Sequence, residues 1–261
     1  MNFTIIIPHK NIPHLLKRCL DSIPQRIDTQ IIVIDDNSNI LEIDDVNLLY
    51  LPEKYPNVQW LFSAKLIDIQ LKNLIAHINC LVIHNGSCRK GAGYARNLGL
   101  EHAKGKWIIF ADADDFFNKN INTELNNYID NQNDIIFFRA ESFNLQTNSV
   151  GKRHVYINGY IDKIKKSGKW RKAIFLHTPW GKFIKRDLIE QNNLRFEEIP
   201  SNNDFLFGVK TNFLAKGKII SDSSIYTVTE RKKSLSHTKN PINILLKCRT
   251  LLKILIFFIR H

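Results

Sequence analysis

Short apolar runs alternate with amphipathic and polar stretches along this 261-residue chain. Residues 3–7 and 30–34 are runs rich in β-branched side chains, as expected of parallel strands covered on both faces. Pro8 stops the first, and Asp35 and Asp36 close the second. Between them Leu15, Leu16, Cys19, Leu20 and Ile23 recur at helical spacing over residues 14–23. Strand, helix and strand in this order predict a right-handed parallel βαβ unit. Residues 58–62 and 80–83 read as further strands and 64–78 as an amphipathic helix. The topology of residues 40–85 is left unassigned. Later elements are a helix over 121–131, a strand over 134–139, a loop leading into a helix from about 185, a helix over 203–215 and a strand over 224–229. Residues 142–169 are polar with little periodicity.

The run the others are organised around is KWIIFADADDFF, residues 106–117, where a continuous apolar segment ends in Asp112, Asp114 and Asp115. Ligands bind at the carboxyl ends of strands in open α/β sheets, and i, i+2 spacing puts Asp112 and Asp114 on one side of an extended backbone. Such oxygens suit Mn²⁺ or Mg²⁺ that also takes phosphate and water ligands. The same acids equally fit an N-cap of the next helix. Upstream, residues 86–105 form a glycine-rich basic loop running into a helix at about Tyr94. Gly91 and Gly93 permit close backbone approach, and Arg96 near a helix start favours phosphate, although a GxG also serves as a plain turn.

Charge narrows the partners. Lys and Arg number 37 against 25 Asp and Glu, a net +12, which implies an anionic partner: nucleic acid, an acidic membrane face or a phosphorylated substrate. No helix-turn-helix, RNP or zinc pattern is present, so nucleic acid is not expected. Four scattered cysteines without CxxC spacing read as thiols in a reducing compartment. The apolar run behind Met1 is too short for a signal peptide, so a cytoplasmic protein is expected. Residues 241–261 are apolar but interrupted by Lys247, Arg249, Lys253 and Arg260. That pattern fits a helix lying on the inner face of an anionic membrane, or one packed on the domain or on a second copy.

Taken in order, TIIIPHKN, VIDDNSN, GAGYARNLGL, IIFADADDFF, WGKFIKRDLI, NNDFLF and ERKKSLS resemble the family 2 glycosyltransferases of the GT-A fold. The resemblance covers roughly residues 3–238. It implies an α/β, Rossmann-like, mostly parallel sheet flanked by helices, over residues 1–240, with a nucleotide-binding half (1–117) and an acceptor half (118–240). Residues 241–261 follow as a basic amphipathic helix. The implied activity is inverting, metal-assisted transfer of one sugar from a nucleotide diphosphate sugar, UDP-sugar favoured, to a lipid-linked or cell-surface glycan. A homo-oligomer is left open.

Carried over residue by residue, Pro8, His9 and Lys10 line the nucleoside pocket, Asp36 meets the base, and Arg96 and Arg231 hold the nucleotide. Asp112 and Asp114 match the DxD pair, with Asp114 favoured for the metal and Asp112 for ribose or metal. Asp204 matches the general base. Asp115, Trp180, Lys182, Asn203 and Ser234 fall on the acceptor or donor-sugar side. Asn203 stands where the family usually has Glu, which removes a charge beside the base. No QxxRW element is present, which argues against a processive synthase. Two other readings remain: a sugar-nucleotide nucleotidyltransferase, which lacks its expected glycine-rich loop after the first strand, and a non-catalytic basic binding protein.

Overall fold

Burial along whole strands sets the middle of the sheet. The computed structural model describes residues 1–38, 51–63, 80–83, 91–231 and 241–260. Every residue of Phe3–His9 (β1) and Thr29–Asp35 (β2) is buried, so neither strand shows polar alternation. Pro13–Asp21 (α1) connects them, with a proline at its first position, where a missing N–H costs nothing. Val58–Ser63 (β3) and Cys80–Ile83 (β4) extend this edge. Gly91–His102 (α2) leads into Trp107–Phe110 (β5). The expected helix over 64–78, the loop residues Arg89 and Lys90, and Ser234 lie outside the described residues.

The second half contributes Phe116–Phe117 (β6), Ile121–Tyr128 (α3), Ile135–Asn144 (β7), Ser149–Val150 (β8) and Arg153–Ser167 (α4). A 3-10 turn at Trp170–Phe175 follows, then Lys182–Lys185 (β9), Arg186–Gln191 (α5), Phe205–Leu214 (α6), Lys218–Glu230 (β10) and Pro241–Arg260 (α7). One sheet carries all described strands in the order β4-β3-β2-β1-β5-β9-β7-β10-β6, with β8 on β7. β1 to β5 pair in parallel. β9 is antiparallel to both β5 and β7, and β10 is parallel to β7. The sheet therefore crosses from the first half to the second through β9.

Two expectations change here. Residues 182–185 were expected in a loop, yet they form the central strand β9. Only Phe183 and Ile184 are apolar there, and Lys182 is buried, so the run carries no strand signature of its own. The polar stretch 142–169 contains α4, whose buried Ile157, Ile161 and Ile164 form a narrow helical stripe.

α7 packs on the domain. Ile254 and Phe258 join Leu206 and Val209 of α6, and Phe213 meets Phe257 and Phe258 edge-on at 5.4 and 5.2 Å. Thr250 Oγ1 donates to Glu197 Oε2 at 2.7 Å, and Lys253 pairs with the same carboxylate. Its other face leaves Ile244, Leu245, Leu251, Leu252, Leu255 and Ile259 exposed. Among the described residues, no helix is long and apolar enough to cross a membrane.

Candidate active site

The candidate site residues gather at the carboxyl ends of β1, β2 and β5, the end of an open α/β sheet at which ligands bind. Asp112 and Asp114 follow β5 directly, with side chains 32% and 23% exposed. Asp112 Oδ1 accepts from Arg96 Nη2 at 2.6 Å. Arg96, on the buried side of α2, also donates through Nη1 to Asn203 Oδ1 at 3.0 Å. Asp114 Oδ2 accepts from Arg231 Nε at 2.8 Å, and its backbone carbonyl accepts from Arg18 Nη2 at 2.5 Å. Two arginines thus pair with the two carboxylates and a third holds the Asp114 carbonyl, a favourable setting for a diphosphate.

Asp115 is different in kind. It is buried, accepting the Thr229 N–H at 2.7 Å and a hydrogen bond from the Tyr226 hydroxyl. Burial first, then Asp112 and Asp114, push its carboxyl well above the ordinary range. The Tyr226 hydroxyl meanwhile accepts the Asp112 N–H at 2.8 Å, so one side chain fixes the loop at both acids. Trp180 is buried and stacks on the Tyr226 ring at 5.6 Å and 15°. These contacts place Asp115 and Trp180 beneath the open carboxylates.

At the ends of β1 and β2, Ile12 N–H donates to His9 Nε2 at 3.2 Å, which leaves the ring proton on Nδ1, facing Asp35 Oδ1 at 3.2 Å. Asp35 also accepts the Ser38 N–H at 3.0 Å and the Ser38 hydroxyl. His9 is buried in this clamp between β1 and β2. Lys10 Nζ stands 3.9 Å from Asp36 Oδ2. Burial pushes the Asp36 carboxyl up, against Lys10 and the N–H of Gly91, which donates to it. Pro8 does not stop the first strand: it lies within β1 beside Ile34, and His9 still pairs with Asp35 of β2.

Opposite these groups, Asp204 precedes α6 and its side chain makes no cap bond to the helix. Burial raises its carboxyl above the ordinary range, while Arg96 first and then Lys182 oppose the rise. A carboxylate so placed is largely buried, unspent on capping and more basic than usual, which suits proton abstraction. Lys182 is buried, donating to Leu176 O at 2.6 Å and to Asn212 Oδ1 at 3.3 Å. Burial lowers its ammonium to about 7, with Asp204 pulling the other way.

Of the expected residues, Arg96 joins Asp112 to Asn203, Arg231 joins Asp114, and Asp36 meets Gly91 at the start of α2. Arg18, Tyr226 and Thr229 were missed. Arg18 sits between the apolar positions of α1 and Tyr226 within a strand run, so only tertiary contact marks either. Gly93 does permit close approach, but the group that approaches is the backbone of Glu197: a Cβ there would clash with Glu197 O and lie 2.9 Å from Asn203 Cβ.

Two hard carboxylates at a diphosphate-favouring cleft fit a divalent cation. Among the described residues no group of three or more His, Cys, Asp or Glu is arranged to hold one. The donor set suits an ion that completes its shell with phosphate oxygens and water.

Comparison with known proteins gives the same picture. Residues 69–192 match the family model for glycosyl transferase family 2. Glycosyltransferase GlyA of Streptococcus pneumoniae is 24% identical over 245 residues, covering 89% of this chain and 31% of its own. Poly(ribitol-phosphate) beta-N-acetylglucosaminyltransferase TarS of Staphylococcus aureus is 24% identical over 239 residues, covering 89% of this chain and 36% of its own. The chain thus spans about a third of the length of these curated relatives. A crystal structure of TarS residues 1–349 in complex with UDP-GlcNAc superposes with TM-score 0.66 at 22% identity, over 92% of this chain and 62% of that one. A mannosyltransferase from Pyrobaculum calidifontis, in complex with GDP-Man and Mn²⁺, gives TM-score 0.55 at 16% identity, over 89% and 58%. The fold is the GT-A fold.

Proposed function

We propose that this chain, a member of glycosyl transferase family 2 through residues 69–192, transfers a single sugar from a UDP-sugar to a hydroxyl of a lipid-linked or cell-surface glycan, with inversion. One observation carries the reading: Arg96 bridges Asp112 on the donor side to Asn203, the residue before Asp204. Donor carboxylate and candidate base are thereby held at a fixed separation across one cleft.

Asp36 and the end of β1 receive the base and ribose, and the β5 acids with Arg96 and Arg231 receive the diphosphate. Asp112 and Asp114 would hold Mn²⁺ or Mg²⁺, which when bound neutralises charge developing on the departing nucleoside diphosphate. The GDP-Man and Mn²⁺ complex of the archaeal neighbour supports this choice of ion, and the UDP-GlcNAc complex of TarS supports uridine. Arg96 and Arg231 add fixed positive charge at the same oxygens. Asp204 takes the proton of the acceptor hydroxyl as that oxygen attacks the anomeric carbon from the face opposite the diphosphate. One displacement inverts the centre. Asn203 orients Arg96 without adding a second negative charge next to the base.

The exposed apolar row of α7, flanked by Lys247, Arg249 and Arg260, supports peripheral contact with the inner face of an anionic membrane. Deleting residues 241–261 should release the protein from anionic vesicles; unchanged binding would remove that part of the reading.

The donor reading is tested by melting against UDP, GDP, CDP and ADP and their sugars, with and without Mn²⁺. A metal-dependent rise confined to uridine ligands is expected. The absence of any nucleotide shift would overturn the assignment.

A further inference from the structure

Positive charge is concentrated in one stretch of the second half. Residues 152–172 hold eight Lys or Arg and a single acid, Asp162, a net +7 out of the chain's +12. They occupy α4 and the 3-10 turn, and Lys152, Arg153, Lys166, Lys169 and Arg171 are all exposed. Lys165 is spent on Asp222 and Lys163 lies over the Tyr160 ring at 4.7 Å. Lys152 donates its backbone N–H to Glu230, and among the described residues the side chains of Lys166, Lys169 and Arg171 form no salt bridge. Aromatic rings stand among them: Tyr160 is stacked with Phe175 at 4.7 Å, and Tyr156 meets Tyr160 at 4.9 Å. Tyr156 is 51% exposed, Phe175 42% and Trp170 36%. Exposing three large rings together marks a binding face more readily than scattered surface apolars do.

The face is connected to the base. Asn212 of α6 donates to the carbonyls of Ala173 and Leu176, each at 2.8 Å, and the His177 ring meets Phe205 at 4.5 Å. Phe205 follows Asp204 directly. A chain lying on the rings therefore runs toward the candidate base along a segment anchored to its helix.

We propose that this face seats an anionic glycan, a sugar or polyol chain bearing phosphodiesters or carboxylates, and feeds its acceptor hydroxyl to Asp204. The rings stack against the C–H faces of the sugar or polyol units while the cations meet the charges between them. This rests on the glycosyltransferase reading and names the acceptor class for it. Connection of the face to the Asp204 helix favours a substrate over a nucleic acid or a membrane, neither of which needs a path to that carboxylate.

The test measures binding of the full chain to a phosphodiester-linked polyol polymer, polygalacturonate, neutral dextran, duplex DNA and anionic vesicles. Tight, salt-sensitive binding to either anionic glycan, and weak binding to dextran, is expected; preference between the two identifies phosphate or carboxylate as the charge. The triple variant Lys166→Gln, Lys169→Gln, Arg171→Gln should lose at least about tenfold in glycan affinity and show a flatter salt dependence. Tyr156→Ala should weaken binding of the anionic glycans but not of inorganic polyphosphate. Because both sets are on the surface, unchanged melting temperatures confirm folding. Equal binding by wild type and both variants, or DNA or vesicles bound as tightly as the glycans, would overturn the proposal. Melting with uridine nucleotides is measured in parallel: its loss in wild type is a failure of the donor reading, whereas its persistence with no glycan preference is a failure of this one.

Discussion

Gly93→Ala is a demanding test of the way the cleft is built. Gly93 lies in α2, where a propensity argument alone makes alanine stabilising by up to about 1 kcal/mol. The packing says the opposite. A Cβ at this position would overlap the backbone oxygen of Glu197 and lie 2.9 Å from Asn203 Cβ. Neither neighbour is a flexible side-chain end. The segment 196–203 is held to α2 by Asn97, which donates to Phe196 O at 3.0 Å and accepts from its N–H at 2.8 Å. The new methyl must therefore push that segment away against these bonds, and overpacking of this type costs about 1–3 kcal/mol. For a chain of this size that lowers the melting temperature by about 2–12 °C. Asn203 moves with the segment and takes Asp204 with it, and a misplacement near 1 Å is worth about a hundredfold in rate. Gly159→Ala supplies the control, because nothing lies within 4 Å of a Cβ built there; it should stabilise α4 by about 0.5–1 kcal/mol. Calorimetry and steady-state sugar transfer measure both. A Gly93→Ala protein that melts and turns over like wild type would refute the packing argument.

Asp204→Asn should lower turnover by about 10²–10⁴-fold yet melt higher at pH 7. The folded carboxyl is raised by burial, so its charge destabilises the fold above the raised value, and the gain should vanish below the ordinary carboxylate range; a lower melting temperature at pH 7 would contradict this. Lys182, lowered to about 7 by burial, binds its proton more weakly folded than unfolded, so wild-type stability should rise from about pH 7 toward the ordinary lysine value near 10.4. Denaturant midpoints of Lys182→Met should lack that rise, and an equal slope in both proteins would count against it. Arg231→Gln frees Asp114 from a partly exposed ion pair, so Mn²⁺ alone should bind about two- to fivefold tighter by calorimetric titration, while UDP binds more weakly; an unchanged Mn²⁺ affinity would show the pair to be inconsequential.

Parallel strands were legible because burial on both faces leaves them no polar alternation, as in β1, β2 and β5. β9 was not, because its four residues hold two lysines, and only pairing with β5 on one side and β7 on the other makes Lys182–Lys185 a strand. α4 announced itself weakly: three isoleucines at helical spacing are outnumbered by the cations around them. At the site, Asp112 and Asp114 stand out because acids end an apolar run. Tyr226 and Arg18 reach the same loop across 114 and 96 residues, and no local pattern encodes such a meeting. The resemblance to a known family supplied the role expected of Asp204, whereas Arg96 was already marked by its place at the helix start of a basic loop.

The arginine on α2 explains why these scattered parts act together. Arg96 is 5% exposed, so its charge is held in place by partners rather than by water, and both partners belong to the cleft. One is Asp112, just beyond the end of β5. The other is Asn203, which also ties Glu197 through its backbone carbonyl at 3.0 Å. Glu197 in turn holds Thr250 and Lys253 of α7. A continuous series of polar contacts thus runs from the donor carboxylate to the segment bearing the base and on to the C-terminal helix. With a glutamate at position 203, Arg96 would sit between two carboxylates and Asp204 beside a second negative charge. Asparagine keeps the bridge neutral on that side, leaving the Arg96 charge to offset Asp112 and to restrain the rise in the Asp204 carboxyl.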